Sequence, residues 1–420
     1  MEVSYSLRYQ KSTLLNKLIV DKEGEIIIYE KGFRLKGKGG SDKGELINFG
    51  DIKEFYFKSE KVIFITFNKE KYILSESGTS FEQLLNDIYR ARNEFLTDAL
   101  FMKAGKLKSE FDCKFERLSK FGKIISKGKA KLKLYEGSLV VFPINQDAFS
   151  VNYNFVNSYE FDDMEYLMKV NTDDGNKVFF SNFGNDFEFV EEKMNELLGG
   201  LYETVVNTVL RRIFPEFRPA ELLKMAYFMK DGKALSLKEL RKIDKELVIA
   251  VENFMFSDPL FKEKMEFLTE QSDEYGIFYG ISEDKTVKGS FVRWFMVAIP
   301  EKNIVAFSIL PRWQEGVSEN QNNGHDTFFF KIIMERGIPS DKLEDKIREI
   351  EQSLITLKFV KDPCYKDRKE LRHSPYLYAI RKLPFLRILR KSFAGKASAA
   401  NKDEWLKQAE TAIDAAKMVL

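Results

Sequence analysis

Ser75-Glu76-Ser77-Gly78-Thr79-Ser80-Phe81 returns as Ser181-Asn182-Phe183-Gly184-Asn185-Asp186-Phe187, each copy standing between a strand-like run and a helix-like run. A Ser-x-x-Gly-x-x-Phe signature in the same context twice marks a duplicated unit, and self-similarity has to be settled before any local reading. The match extends outward. Ile47-Asn48-Phe49 followed by Ile52, Phe55 and Phe57 returns 104 residues later as Val151-Asn152-Tyr153 followed by Val156, Tyr159 and Phe161. At a spacing of 106, Tyr29, Glu30 and Leu35 align with Tyr135, Glu136 and Val141, and Phe81, Leu84, Ile88 and Phe95 with Phe187, Val190, Met194 and Leu201. Apolar positions meet apolar positions, and small loop insertions account for the change of offset.

Both units carry the same local signals. Residues 25–29, 33–36, 52–57, 62–67 and 71–74 are short runs rich in Ile, Val, Phe and Tyr with turn residues between them, which predicts successive antiparallel strands. In the second unit Asp173-Asp174-Gly175-Asn176 joins 166–170 to 177–181, and Asp-Gly suits the positive φ of a tight hairpin. Thr79 with Glu82, and Asn185 with Glu188, stand at capping-box spacing ahead of apolar residues three and four apart, which predicts a helix closing each meander. The expected class is α+β, with units at 1–105 and 106–214.

A meander of about 100 residues closed by one C-terminal helix resembles the pleckstrin-homology (PH) superfold and its GRAM-like relatives. Tyr29-Glu30-Lys31-Gly32-Phe33-Arg34-Leu35 and Tyr135-Glu136-Gly137-Ser138-Leu139-Val140-Val141 look like the first hairpin of such domains. The resemblance covers the first half of the chain, two units in tandem as in the double PH-like modules of histone-chaperone subunits. It implies an antiparallel sheet or barrel and a binding role. That fold hosts lipid, peptide, nucleic-acid and histone binders, so it does not choose among ligands.

Composition sets outer limits. A chain of 420 residues, 44% hydrophobic and with 38 phenylalanines, can bury about two to four cores. Sixty-seven Lys and Arg stand against 65 Asp and Glu, so no global attraction to a polyanion follows and any electrostatic function is local. Cys113 and Cys364 form no CxxC pair, which supports neither a disulfide framework nor a zinc knuckle. No signal-like segment or run of membrane-spanning length is seen, so a cytoplasmic location, not secreted, with membrane association left open, is expected. His325 and His373 are the only histidines and no GxSxG-type nucleophile motif occurs. The expectation is a protein that is not an enzyme, with no catalytic residues, cofactor or metal.

Beyond the second unit the pattern changes. Arg218-Pro219 opens a helical run ending near Gly232, Ser236 and Glu239 start another to about Phe254, and Pro259 a third, which together mark 215–272 as a helical linker or subdomain. Strands return at 276–282, 291–299, 304–310 and 327–334, followed by a helix over 340–357. The order within 273–360 matches a third, degenerate copy. The missing signature and the long polar loop Gln314 to Gly324 speak against that, and both readings stand here. Residues 361–420 are expected to be a basic helical tail.

Three features carry candidate function. Lys127, Lys129, Lys131 and Lys133 alternate with small and apolar residues, which in a strand puts four ammonium groups on one face, ready for phosphates or anionic lipid; an edge strand also uses lysines to discourage pairing with another chain. The glycine-rich turn Lys36 to Gly44 sits in the early hairpin region, where phosphoinositide-binding PH domains hold a headgroup, yet it lacks the Walker pattern, and glycine and lysine as ordinary loop residues favour a flexible solvated loop over a phosphate site. From Lys366 to Lys396 ten Lys or Arg face two acidic residues. Within it Arg381, Lys382, Arg387, Arg390 and Lys391 are candidate anion contacts, and Phe385, Leu386, Leu389 and Phe393 candidate apolar contacts to a membrane or partner. The alternative is a helix docked on its own domain. The expected function is a protein-interaction scaffold with an unidentified protein partner. Its first rival is a peripheral membrane protein binding anionic lipid. The second rival, nucleic-acid or histone binding, lacks a basic helix or an aromatic stacking platform.

Overall fold

The computed structural model describes residues 3–39, 43–230, 232–257, 259–272, 274–283, 290–310, 313–314, 326–332, 340–357, 360, 362–367, 369–372, 374–399 and 401–417. His325, His373, residues 40–42 of the glycine-rich turn and residues 315–324 of the polar loop lie outside them. The chain forms two compact units, Met1–Leu197 and Leu198–Leu420. Three antiparallel sheets run through it, each followed by helices.

The first sheet holds β1 (Val3–Thr13), β2 (Leu18–Tyr29), β3 (Gly32–Gly37), β4 (Glu45–Asn48), β5 (Ile52–Lys58), β6 (Lys61–Thr66) and β7 (Glu70–Ser75), and α1 (Phe81–Ala99) follows. Its spatial order is β4-β3-β2-β1-β7-β6-β5. β1 joins the two halves: from Val3 to Ser12 it pairs with β2, and from Arg8 to Thr13 it also pairs with β7. Tyr5, Leu7 and Tyr9 of β1 point inward with Ile26, Ile28, Phe33, Phe64, Tyr72 and Leu74, and Leu84, Leu85, Ile88 and Tyr89 of α1 close that core. Period two on the strands meets period three to four on the helix. Each such side chain contributes roughly 1.5–3 kcal/mol on burial.

The second sheet repeats this path. β8 (Leu107–Leu118), β9 (Ile124–Tyr135), β10 (Ser138–Pro143), β11 (Phe149–Asn152), β12 (Val156–Asp162), β13 (Leu167–Thr172) and β14 (Lys177–Ser181) lie in the order β11-β10-β9-β8-β14-β13-β12, and α2 (Phe187–Thr204) follows. The repeated signature has a backbone cause. Glu76 and Asn182 adopt φ of 59° and 60°, and Gly78 and Gly184 adopt 57° and 60°. Two left-handed residues in three positions turn the chain out of the last strand, and glycine takes the second at no steric cost. The capping box expected at Thr79 and Glu82 does not form. Thr79 lies inside a 3-10 turn, Gly78–Ser80, and the N–H groups of Ser80 and Phe81 go to the carbonyls of Ser77 and Gly78 instead.

A clasp joins the two copies. Arg92 of α1, fully buried, forks onto Asp147 with Nε–Oδ1 at 2.7 Å and Nη2–Oδ2 at 2.8 Å. Asn93 donates to the carbonyls of Pro143 and Gln146 and accepts from Ala148 N. Every hydrogen-bonding group of the buried Asn93 amide is thus engaged with the β10–β11 loop, which leaves that loop one seat on the helix.

In the second unit a π-helical segment, Val205–Leu210, leads to α3 (Arg211–Ile213), α4 (Pro219–Met229), β15 (Leu235–Ser236), α5 (Leu237–Ile243), α6 (Lys245–Met255) and α7 (Pro259–Thr269). The helix expected from Ser236 to Phe254 is two: Asp244 has extended φ and ψ and its carboxylate caps Glu246 N and Leu247 N, so it ends α5 and starts α6. β16 (Ile277–Glu283), β17 (Ser290–Ile299), β18 (Ile304–Ile309), β19 (Trp313–Gln314) and β20 (Thr327–Lys331) follow, then α8 (Ser340–Thr356), α9 (Asp362–Tyr365), α10 (Tyr376–Lys382), α11 (Pro384–Ser392), β21 (Phe393–Ala397) and α12 (Lys402–Lys417). The sheet order is β15-β16-β17-β18-β20-β21, with β19 on β17. This path differs from that of the first two sheets, because among the described residues no strand plays the part of β1. The segment set apart from sequence as a tail supplies β21, which pairs with β20 from Thr327↔Ala397 to Phe330↔Phe393. Trp405, Ala409, Ala412 and Ile413 of α12 belong to the same buried core as Ala397. A Cβ on Gly395 would stand 2.6 Å from the Cβ of Ala412, so glycine there lets α12 close on the strand.

Candidate interaction surface

Register puts all four candidate lysines of β9 on one sheet face. Lys127, Lys129, Lys131 and Lys133 stand opposite Glu116, Lys114, Asp112 and Glu110 of β8. β9 is an interior strand between β8 and β10, which corrects the edge-strand alternative. Where β10 ends, the Lys129 carbonyl accepts from Ile144 N and the Lys127 carbonyl from Gln146 Nε2, so the strand stays covered. Lys131 reaches Glu110 at 3.4 Å and Asp112 at 3.7 Å. Lys133 reaches Glu94 at 3.1 Å and lies 4.1 Å over the Phe142 ring. Lys127 and Lys129 are exposed and have no ion-pair partner among the described residues.

The first copy carries the opposite charge at the same positions. Asp21, Glu23 and Glu25 of β2 stand 106 residues before Lys127, Lys129 and Lys131, opposite Gln10, Arg8 and Ser6. These carboxylates are compensated. Arg8 forks onto Asp21 with Nε–Oδ1 at 2.7 Å and Nη2–Oδ2 at 2.9 Å, Lys38 meets Glu23 at 2.7 Å and Lys36 meets Glu25 at 3.6 Å. The hydrogen bonds from Arg8 and Gln10 hold the Asp21 carboxyl below its usual range, and Lys38 does the same for Glu23.

Both rows lead to hairpin tips of one design. Thr13 to Ile19 and Ser119 to Ile125 close by matching bonds: Thr13 N to Lys17 O at 3.0 Å and Ser119 N to Lys123 O at 2.9 Å, with the Thr13 and Ser119 hydroxyls each accepting from the same lysine's N–H at 3.2 Å. Asn16 and Gly122 take the left-handed position, at φ of 59° and 75°. The apex residue is Leu15 in one copy, 93% exposed, and Phe121 in the other, 85% exposed. Leu14, Leu18 and Ile19 surround the first apex and Ile124 and Ile125 the second, all exposed. No folding purpose puts large apolar side chains in water at equivalent places in two copies. This surface was missed in the sequence, although Leu14-Leu15 and Phe121 beside turn residues, matched at the 106-residue spacing, carried the signal.

The C-terminal candidates separate by face. Leu386 and Leu389 are buried, 1% and 2% exposed, so their apolar contact is with their own unit. Phe385 is half-buried, as is Phe393, whose ring lies 6.1 Å from those of Phe330 and Tyr365. Arg390 donates to the carbonyls of Pro363 and Lys366. Arg381 and Lys382 are half-buried, Lys382 6.0 Å over the Tyr378 ring. Arg387 and Lys391 are exposed, with Ile388 between them. The lysine row belongs to the first unit and this helix to the second.

Among the described residues no three His, Cys, Asp or Glu side chains gather to hold a metal ion, and no helix is long and apolar enough to cross a membrane. No family model matches the chain, and no curated protein matches it. Among solved structures, one of the Spt16D Pob3N heterodimer matches over 41% of this chain and 86% of that one, at 14% identity and a TM-score of 0.16. A score of that size supports neither a fold nor a function.

Proposed function

We propose that residues 1–214 form a non-enzymatic docking module of two PH-like copies, at 1–105 and 106–214, which binds a protein partner through the tips of the β1–β2 and β8–β9 hairpins. The observation that carries this reading is the duplicated apex, Leu15 and Phe121, held by the same turn and surrounded by apolar neighbours in both copies. The shared sheet path with a C-terminal helix agrees with the PH resemblance. Covering one such side chain in an interface is worth roughly 1.5–3 kcal/mol, so the two tips together contribute about 3–6 kcal/mol towards a complex. A photo-crosslinking amino acid placed at 15, at 121 and at the equally exposed control position Met164 tests it in cells. A discrete protein adduct at 15 and 121 and none at 164 is expected; adducts at all three positions, or none at the tips, would remove the proposal.

A second reading has its own observation. Lys127 and Lys129, without an ion-pair partner among the described residues, stand behind Phe121, Ile124 and Ile125, with Lys120 and Lys123 in the turn itself. Apolar residues flanked by lysines suit the boundary of an anionic membrane, each lysine near the surface contributing about 1 kcal/mol. Sedimentation with phosphatidylserine-containing against neutral vesicles separates the two readings. Salt-sensitive binding lost in Phe121→Asp would put lipid in place of protein as the partner.

A further inference from the structure

A groove of about 290 Å³ opens in the second unit, lined by α6, α7 and β16. Its floor is apolar and aromatic. Met265, Ile277 and Tyr279 are buried there, and the Phe256 ring meets the Tyr279 ring edge-on at 6.1 Å and the Phe295 ring at 5.5 Å. Two carboxylates stand over this floor, Glu252 of α6 and Glu266 of α7. The Tyr279 hydroxyl donates to Glu252 Oε1 at 3.0 Å, which fixes the carboxylate while leaving its second oxygen for a ligand. Burial, and then the charge of Glu252, push the Tyr279 phenol up, so it remains a donor across the physiological range. Neither carboxylate has an ion-pair partner among the described residues, and Lys262 is the one cation that lines the groove.

Size and chemistry narrow the occupant. At about 290 Å³ the groove lies at the small end of ligand sites, which begin at about 300 Å³, and a single side chain fits within it. Unpaired carboxylates over aromatic rings select a cation. A planar guanidinium satisfies both features at once, because it forks onto a carboxylate and stacks on a ring, whereas an ammonium is a hydrated point charge. We propose that this groove binds an arginine side chain presented by a partner polypeptide, with Glu252 and Glu266 as its counter-charges and the half-buried Phe256 ring as its aromatic wall. The site is separate from the hairpin tips and neither proposal depends on the other.

The test uses the full chain with ¹³C-methyl-labelled methionine and reads the Met265 methyl resonance. The probes are acetyl-Gly-Arg-Gly-amide, the same peptide with citrulline in place of arginine, and free arginine. The arginine peptide is expected to move the Met265 resonance saturably and the citrulline peptide to leave it in place. Glu252→Gln and Glu266→Gln are each expected to weaken binding about tenfold, while the other methionine resonances stay put as the sign of an intact fold. A silent Met265, equal shifts from the arginine and citrulline peptides, or unchanged affinity in both variants would overturn the site. Free arginine binding as tightly as the peptide would overturn a polypeptide as the occupant.

Discussion

The two copies of the first unit share a backbone path and differ in what they do with it. Inside, the same positions stay apolar: Leu7 and Cys113, Tyr9 and Phe115, Ile26 and Leu132, Ile28 and Leu134 are pairs 106 residues apart, all buried. Outside, the row behind the tip is acidic and compensated in the first copy, and basic with two open lysines in the second. A face whose charge reverses while the sheet stays the same is not what holds the sheet together. The helices differ too, since Arg92 and Asn93 of α1 have Leu198 and Gly199 at the corresponding places. One copy therefore supplies the joint between the repeats and the other supplies the open basic face. Duplication leaves each copy free to specialise once the core is secured.

Breaking the joint gives the largest expected effect. Arg92 is fully buried, whereas Asp147 is 41% exposed, so the two halves of the pair are not equivalent. Asp147→Ala strands a buried guanidinium without its carboxylate and is expected to cost about 3 kcal/mol. Arg92→Met removes the buried charge, fills part of its space and leaves Asp147 to water, for about 1 kcal/mol. Hydrogen exchange of the α1 C-terminal turns and of Ala148 reads both, because local opening reports local stability. Equal protection loss in the two variants would mean that the pair acts through geometry and not through buried charge.

The cores offer the next contrast. Cys113 stands where the first copy has Leu7, and burial, followed by the charge of Asp112, pushes its thiol up to about 12 from an ordinary 9.0. Between those values the unfolded chain has lost a proton that the folded chain keeps, so stability should fall as pH rises through that window and be unaffected below it. Cys113→Leu is expected to reduce this alkaline loss, leaving the parts due to Cys364, whose thiol burial also raises to about 12, and to buried tyrosines such as Tyr89, Tyr153 and Tyr279, whose phenols burial likewise raises. At pH 8 both thiols should resist iodoacetamide in the native protein and react in urea, as mass spectrometry would show. An alkaline profile unchanged in Cys113→Leu would contradict the buried placement of that thiol.

Much of this was legible in the sequence, and the gaps have physical causes. The signature predicted the duplication because two left-handed residues in three positions are a demanding conformation that tolerates little variation. Most strands followed from runs of branched and aromatic residues. β1 and β8 did not, because their outward positions, such as Ser4, Ser6, Arg8 and Gln10, interrupt every run, and only alternate residues face the core. The capping box failed because a 3-10 turn, Gly78–Ser80, precedes the helix and moves the N-cap from Thr79 to Ser80. The basic helix α11 was visible as amphipathic, but periodicity says only that a face is apolar and not what covers it. The Arg92–Asp147 clasp, between residues 55 positions apart, left no local trace.

The charge rows should give the smallest effect on stability and the cleanest test of the contrast. Asp21 and Glu23 sit below their ordinary values of 3.8 and 4.5, which means the folded state favours their charged forms. Such groups stabilise above those ordinary values, and the contribution disappears as pH falls through the depressed ones. Asp21→Asn should therefore lower the melting temperature slightly at neutral pH, where that contribution is present, and meet the natural chain's curve at low pH, so that the acid-side decline below about pH 4 becomes shallower. Lys127→Glu with Lys129→Glu breaks no ion pair among the described residues, so its melting temperature should stay near that of the natural chain across the same range, any cost remaining within about 0.5 kcal/mol. If the lysine pair instead moved the acid-side curve as far as Asp21→Asn does, both rows would be structural, and the second copy's open lysines could no longer be separated from the sheet that carries them.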